Sequence, residues 1–225
     1  MPKLPNESVL LDLSQFGSVD EAMDKVEPGL RYTRVFSEFL DEGMNLNVLV
    51  LFFSSMISRS VGLHSAIARE IRQSNPHAVL PLLRAFAEAV LLLMYVTDNP
   101  QYVSSLTVRA RELPKDGPKR KSIQALISHA EKFAPGFKEV YADLCEGTHF
   151  GSIAMWTPHS TSDSDTPGVA ANWSWSSAPH WKNDRDALVS CAQMLELANA
   201  MEAYLTVFAK KFIVPLRSEF YAGTE

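Results

Sequence analysis

Apolar positions recur at helical spacing over most of this chain. Over residues 32–41, Val35, Phe36, Phe39 and Leu40 fall on one face and predict an amphipathic helix that Gly43 ends. Asn45 is placed to cap a second, longer helix, and Val48, Leu49, Leu51, Phe52, Met56, Ile57, Val61, Ile67 and Ile71 carry its periodicity to about Gln73. Ser74-Asn75-Pro76 starts a third, with Asn75 offering a capping oxygen and Pro76 at the first helical position, where a missing N–H costs nothing. That helix runs to about Thr97. Pro81 lies past its first turn, cannot donate to the His77 carbonyl, and should kink the helix or delay its start. Asp98-Asn99-Pro100 closes it and caps another over 101–112. The two prolines and Gly117 of 113–118 read as an exposed turn, after which 119–132 and 136–146 predict two shorter helices, with Gly147 as a C-cap.

From His149 to Asn183 the pattern changes, because Ser, Thr, Trp, Pro and Gly replace the helical period. Residues 171–176 alternate with a period of two and are expected to pair with 152–157 across the polar turn 160–168 as a β-hairpin. A last long helix covers 184–212 and Pro215 stops it. Residues 1–30 mix Pro, Gly and acidic residues around short apolar pieces, which predicts an arm laid over the body with a short helix at 19–26. The expected architecture is therefore all-α: a single helical domain over 31–225, a bundle of about six or seven helices, with a short Trp-rich β-hairpin or loop insertion at 150–183 before the last long helix.

Composition narrows the function classes. Hydrophobic residues make up 46% of the 225 and charged residues 21%, as in an ordinary globular protein, and the net charge of -5 opposes polyanions slightly. The start MPKLPNESVLLDL has no long apolar run behind a basic segment, so no secretory signal is expected. Cys145 and Cys191 fit a reducing compartment and cannot build a cysteine zinc site, which together with the start predicts a cytoplasmic protein without metal or cofactor. The stretch 79–96 is nearly long enough to span a membrane, but Pro81, Arg84 and Glu88 lie inside it, so a buried core helix is expected and a membrane partner is not.

Arg84 and Glu88 are the sharpest anomaly, two charges four residues apart on a helix otherwise apolar all round. Arg before Glu is the weaker order for a surface pair, and burying two charges costs several kcal/mol each, so their presence marks either a site or an internal ion pair that fixes helix register or a dimer seam. Tyr141, Cys145 and His149 recur at four-residue spacing and share a stripe if their helix reaches His149. His serves as acid, base or donor near neutral pH and a Tyr hydroxyl can orient an anion; the plainer reading of each is a core or capping role. Cys145 beside His149 suggests a thiol nucleophile only superficially, a small buried hydrophobe being the commoner use. The one basic footprint is Arg109, Arg111, Lys115, Lys119, Arg120 and Lys121 against Glu112 and Asp116, net +4, which could follow a phosphate backbone or serve as a solvated turn. Trp156, Trp173, Trp175 and Trp181 could stack on bases, but packing the hairpin onto the bundle is the favoured expectation.

Leu83-Arg84-Ala85-Phe86-Ala87-Glu88-Ala89, with Asp98 and Pro100 at the helix end, followed by Tyr141-Ala-Asp-Leu-Cys-Glu-Gly-Thr-His149, resembles the HEPN-like superfamily of helical bundles, in a branch with an Arg-x3-Glu helix and a later Tyr-x-x-Leu-x4-His segment. The similarity covers roughly residues 51–156 and the final helix. Many members are dimeric, metal-independent endoribonucleases of toxin and phage-defence systems that use an Arg-polar-x3-His motif, a spelling that Arg59-Ser-Val-Gly-Leu-His64 fits. The resemblance implies a homodimer and RNA cleavage or binding, with His149 or His64 as base, Arg84 or Arg59 as phosphate clamp, Glu88 orienting the arginine, and Tyr141 in the same site. The alternative is a non-catalytic HEPN-like module whose Arg84, Glu88, Tyr141 and His149 bind a small anionic ligand or hold a dimeric scaffold together.

Overall fold

Asn47, two residues beyond the expected cap, starts the first long helix: its Oδ1 accepts the N–H groups of Leu49 at 2.9 Å and Val50 at 3.0 Å. The computed structural model describes residues 13–40, 44–109, 112–113, 119–149, 155, 157–162, 171–178 and 180–217. The protein is mostly helical, with a small antiparallel hairpin before the last long helix. Among the described residues the α-helices are α1 (Val19–Lys25), α2 (Arg31–Phe39), α3 (Val48–Arg72), α4 (Pro76–Asp98), α5 (Ile123–Ala130), α6 (Phe137–Thr148) and α7 (Asp184–Phe208), the last continued by a π turn at Ala209–Ile213. The hairpin is β1 (His159–Ser162) and β2 (Asn172–Trp175). Helices α3 and α4 are long and apolar enough to cross a membrane by length and composition, and 56% of the most apolar stretch of α4 is buried within the protein.

The chain divides into two compact units, each assembled from three stretches. The first takes Met1–Glu27, Ser65–Ala85 and Glu139–Leu195. Its core holds Ala22, Val26, Ile67, Ile71, Val79, Leu83, Tyr141, Leu144, Cys191 and Met194. Ser18 caps α1 by accepting from Glu21 N, and the Glu21 carboxylate in turn accepts the Gly17 N–H. Arg72 ties the end of α3 to this segment through Asp24 and Glu27, both at 2.9 Å, and Trp181 Nε1 donates at 3.2 Å to the Ile71 carbonyl, which also accepts the Ser74 N–H.

The second unit takes Pro28–His64, Phe86–Lys138 and Glu196–Glu225. Phe53 stacks on Phe208 at 5.9 Å, Phe52 tilts against the same ring at 5.5 Å, and Tyr32, Phe86, Leu91 and Met201 are fully buried. Lys211, within the π turn, donates to the Thr97 carbonyl at 2.9 Å and places its positive charge at the C-terminal end of α4, where the helix dipole favours it.

Several expectations need correction. The helix expected over 101–112 is a 3-10 turn, Pro100–Leu106, because Ser105 and Thr107 spend their hydroxyls on the nearby carbonyls of Tyr102 and Ser104 and compete with a helical ladder. The side chain of Asn75 donates to Glu70, while its carbonyl accepts the first bonds of α4, which starts at Pro76 without delay and continues through Pro81. Gly147 is not a cap but a buried residue inside α6. In the hairpin, 171–176 contains β2 as expected, but its partner is His159–Ser162 rather than 152–157, in the register His159↔Trp175 and Thr161↔Trp173. Both strands are largely exposed, so no buried face fixes the register, and the polar Ser160–Ser174 hydroxyl pair at 2.6 Å joins them instead. Trp173 and Trp175 are 71% and 61% exposed and do not pack the hairpin down; Trp181 is the tryptophan that is partly covered. Residues 1–12 of the expected arm, Asp41, Gly43, the turn 114–118 and Trp156 lie outside the described residues.

Candidate functional site

In the first unit, Gly147 governs how α6 meets α4. A Cβ at that position would collide with Leu80 Cδ1 and lie 3.1 Å from Leu80 Cβ and Cγ, so the approach as it stands needs a glycine, and any larger residue requires Leu80 to move. Leu80 is one turn before Arg84 on α4, and Gly147 is two residues before His149. The close contact therefore sets α6 beside Arg84.

The stripe expected on α6 forms. Tyr141 is buried near its start, Cys145 is half-buried, and the His149 N–H bonds the Cys145 carbonyl at 2.9 Å, which carries the helical course to an exposed His149. Arg84 is half-buried and spans the stripe. Its Nε–H donates to Tyr141 Oη at 3.1 Å, an Nη1–H pairs with His149 Nε2 at 2.8 Å, and the guanidinium carbon stands 5.6 Å from the Tyr141 ring centroid. A guanidinium has no acceptor, so His149 Nε2 must accept. That assigns a neutral imidazole with its hydrogen on Nδ1 and its base nitrogen against a cation.

The other face of α6 is acidic, with Glu139, Asp143 and Glu146 at spacings of four and three. Burial pushes the Asp143 carboxyl above the usual carboxylate range, and repulsion from Glu139 and Glu146 adds to the rise. The stripe of acids was missed in the sequence, although its spacing was legible there.

Of the sequence-derived candidates, Arg84, Tyr141 and His149 come together. Glu88 is half-buried one turn further along α4 and belongs to the second unit. Arg59 and His64 do not share a surface. Five residues on one helix place them about 140° apart at 3.6 residues per turn. Arg59 is exposed, whereas His64 is 1% exposed and shares a 2.8 Å hydrogen bond through Nδ1 with the buried Tyr32 hydroxyl. Burial pushes the Tyr32 phenol well above its ordinary range.

No family model, curated protein or solved structure matches this chain. Among the described residues no group of three or more His, Cys, Asp or Glu side chains is placed to hold a metal ion.

Proposed function

We propose that the protein binds a small carboxylate-bearing ligand at Arg84, as a non-catalytic cytoplasmic module. The observation that carries this reading is the pair of bonds from one guanidinium to Tyr141 Oη and His149 Nε2. They hold the planar fork in one orientation before any ligand arrives, which lowers the ordering cost of binding. An incoming carboxylate replaces His149 as acceptor. The exchange is favourable because a bond from guanidinium to an ionised oxygen is roughly twice as strong as one to a neutral acceptor, and His149 is exposed and can swing aside. A single arginine suits a monoanion, and the acidic stripe of α6 repels a polyanion.

The test is a calorimetric titration of acetate, benzoate and succinate into the wild-type protein and Arg84→Gln and Tyr141→Phe variants. The reading expects saturable binding of at least one carboxylate, lost in Arg84→Gln and weakened in Tyr141→Phe. Absence of binding by the wild type would end it.

A second reading, the metal-independent cleavage of RNA that the HEPN-like resemblance implies, is favoured by one feature: an exposed, unprotonated Nε2 of His149 standing 2.8 Å from a guanidinium, the base and clamp such chemistry needs. Cleavage of labelled RNAs without added metal, lost in a folded His149→Ala variant, would establish that reading in place of the first.

A further inference from the structure

The second unit carries a shallow, open cleft of about 290 Å³ lined by Tyr95, Lys121, Ala125, Ser128, His129 and Lys132. Its walls are fixed by packing. The Tyr95 ring stands edge-on to Tyr102 at 5.1 Å and to His129 at 5.2 Å. The Tyr102 hydroxyl in turn accepts the backbone N–H of Lys121 at 2.8 Å, and Ser122 caps α5 immediately after it. Arg120 is anchored by the carbonyls of Ser105 and Val108, which locks the backbone on the other side of Lys121. His129 Nε2 lies 3.0 Å from Asp98 Oδ2, so this nitrogen carries the hydrogen and the ring has a set orientation.

The charge around the cleft runs against the whole molecule. The chain carries -5, yet both charged residues that line the cleft, Lys121 and Lys132, are cationic, and the nearby Glu131 carboxylate on the same segment as Lys132 is already engaged by the N–H groups of Gly136 and Lys138. Lys121 and Lys132 stand on its rim as exposed residues.

We propose that this cleft binds a small phosphomonoester. Two lysines neutralise the two charges of a phosphate dianion, and lysine binds phosphate as a point charge without the planar match that a carboxylate asks of arginine. The volume stands at the lower end of ligand pockets, about 300 Å³. It leaves room for a short organic group beside the phosphate, against Tyr95 and Ala125. The site is independent of Arg84, which lies in the other unit and suits a single negative charge.

The experiment is a titration at constant ionic strength of inorganic phosphate and of glycerol phosphate into the full chain, followed by backbone amide resonances and calorimetry, for the wild type, Lys121→Gln, Lys132→Gln, the double variant and Arg84→Gln. Both lysines are exposed, and the thermal midpoint checks that each variant is folded. The proposal expects saturable shifts at Ser128 and His129 in the wild type and about tenfold weaker binding in each single variant, as the loss of one charge-assisted bond implies. It expects no saturation in the double variant and unchanged affinity in Arg84→Gln. Wild-type protein that shows no saturable shift at these amides would overturn it. So would a double variant that binds as the wild type does, or binding confined to an RNA oligonucleotide with a steep salt dependence.

Discussion

Replacing Gly62 and Gly147 by alanine, one at a time, should stabilise the protein at Gly62 and not at Gly147, although both glycines lie inside helices. Alanine is favoured over glycine in a helix interior by about 0.8–1.0 kcal/mol. At Gly62 an added Cβ meets nothing within 4 Å, so Gly62→Ala should gain about that amount. At Gly147 the same methyl collides with Leu80, whose Cβ and Cγ stand 3.1 Å away. Overpacking of this kind costs about 1–3 kcal/mol, which cancels or exceeds the propensity gain and leaves Gly147→Ala roughly 0–2 kcal/mol less stable. The gap between the two variants is thus about 1–3 kcal/mol. Urea unfolding reads it as a difference in midpoint at constant slope. Leu80→Ala, which removes Cγ and Cδ1 and leaves only Cβ near the new methyl, should restore part of the loss in the double variant. If Gly147→Ala is stabilised as much as Gly62→Ala, α6 does not approach α4 at this point, and the placement of Tyr141 and His149 beside Arg84 loses its basis.

Three further outcomes follow from the same structure. Asn47→Ala removes the cap of α3 and should cost about 1 kcal/mol by urea unfolding. Asp143 has its folded pKa raised above the unfolded value, so its contribution to stability is fully present below the unfolded pKa and is lost as pH rises through the folded one. Asp143→Asn should therefore stabilise the protein at pH 7 and make no gain at about pH 3, below the ordinary aspartate value; an equal gain at both pH values would contradict the assignment. Burial pushes the Cys191 thiol up to about 11 and leaves it without exposed surface, whereas Cys145 is half-buried. Alkylation at pH 8 followed by mass spectrometry should find Cys145 modified well before Cys191.

The helical plan was legible because burial imposes a period of 3.6 on long helices, and α3, α4 and α7 display it over more than twenty residues each. Ends were legible only where one residue dominates the local energetics, as Pro76 does for α4. Asn45 was read as the cap of α3, whereas Asn47 makes the capping bonds, and α3 buries Val50, Phe52 and Phe53 from its first turns. Serine and threonine hydroxyls turned 101–112 from an α-helix into a short 3-10 turn by bonding carbonyls nearby, an outcome that apolar spacing does not record. Gly147 shows the same limit: a glycine two residues from a helix end reads as a cap, and only its neighbour across space, Leu80, reveals a packing role. In the candidate site, the stripe of Tyr141 and His149 was visible as a spacing, and Arg84 as a charge in an apolar helix. That they meet was not visible, since 57 and 65 residues of chain separate them from Arg84. The cleft at His129 was hidden for the same reason, its residues coming from α4, α5 and the segments flanking α5.

Benzoate probes the arginine fork of the first unit directly. The measurement is a titration of benzoate into uniformly labelled protein, following the Arg84 Nε–H and the His149 ring nitrogens by NMR. A neutral His149 with its hydrogen on Nδ1 in the free protein, and a saturable change at both residues that is absent from Arg84→Gln, is the predicted result. A His149 imidazole that carries its hydrogen on Nε2, or an Arg84 signal that benzoate leaves unmoved, would contradict it.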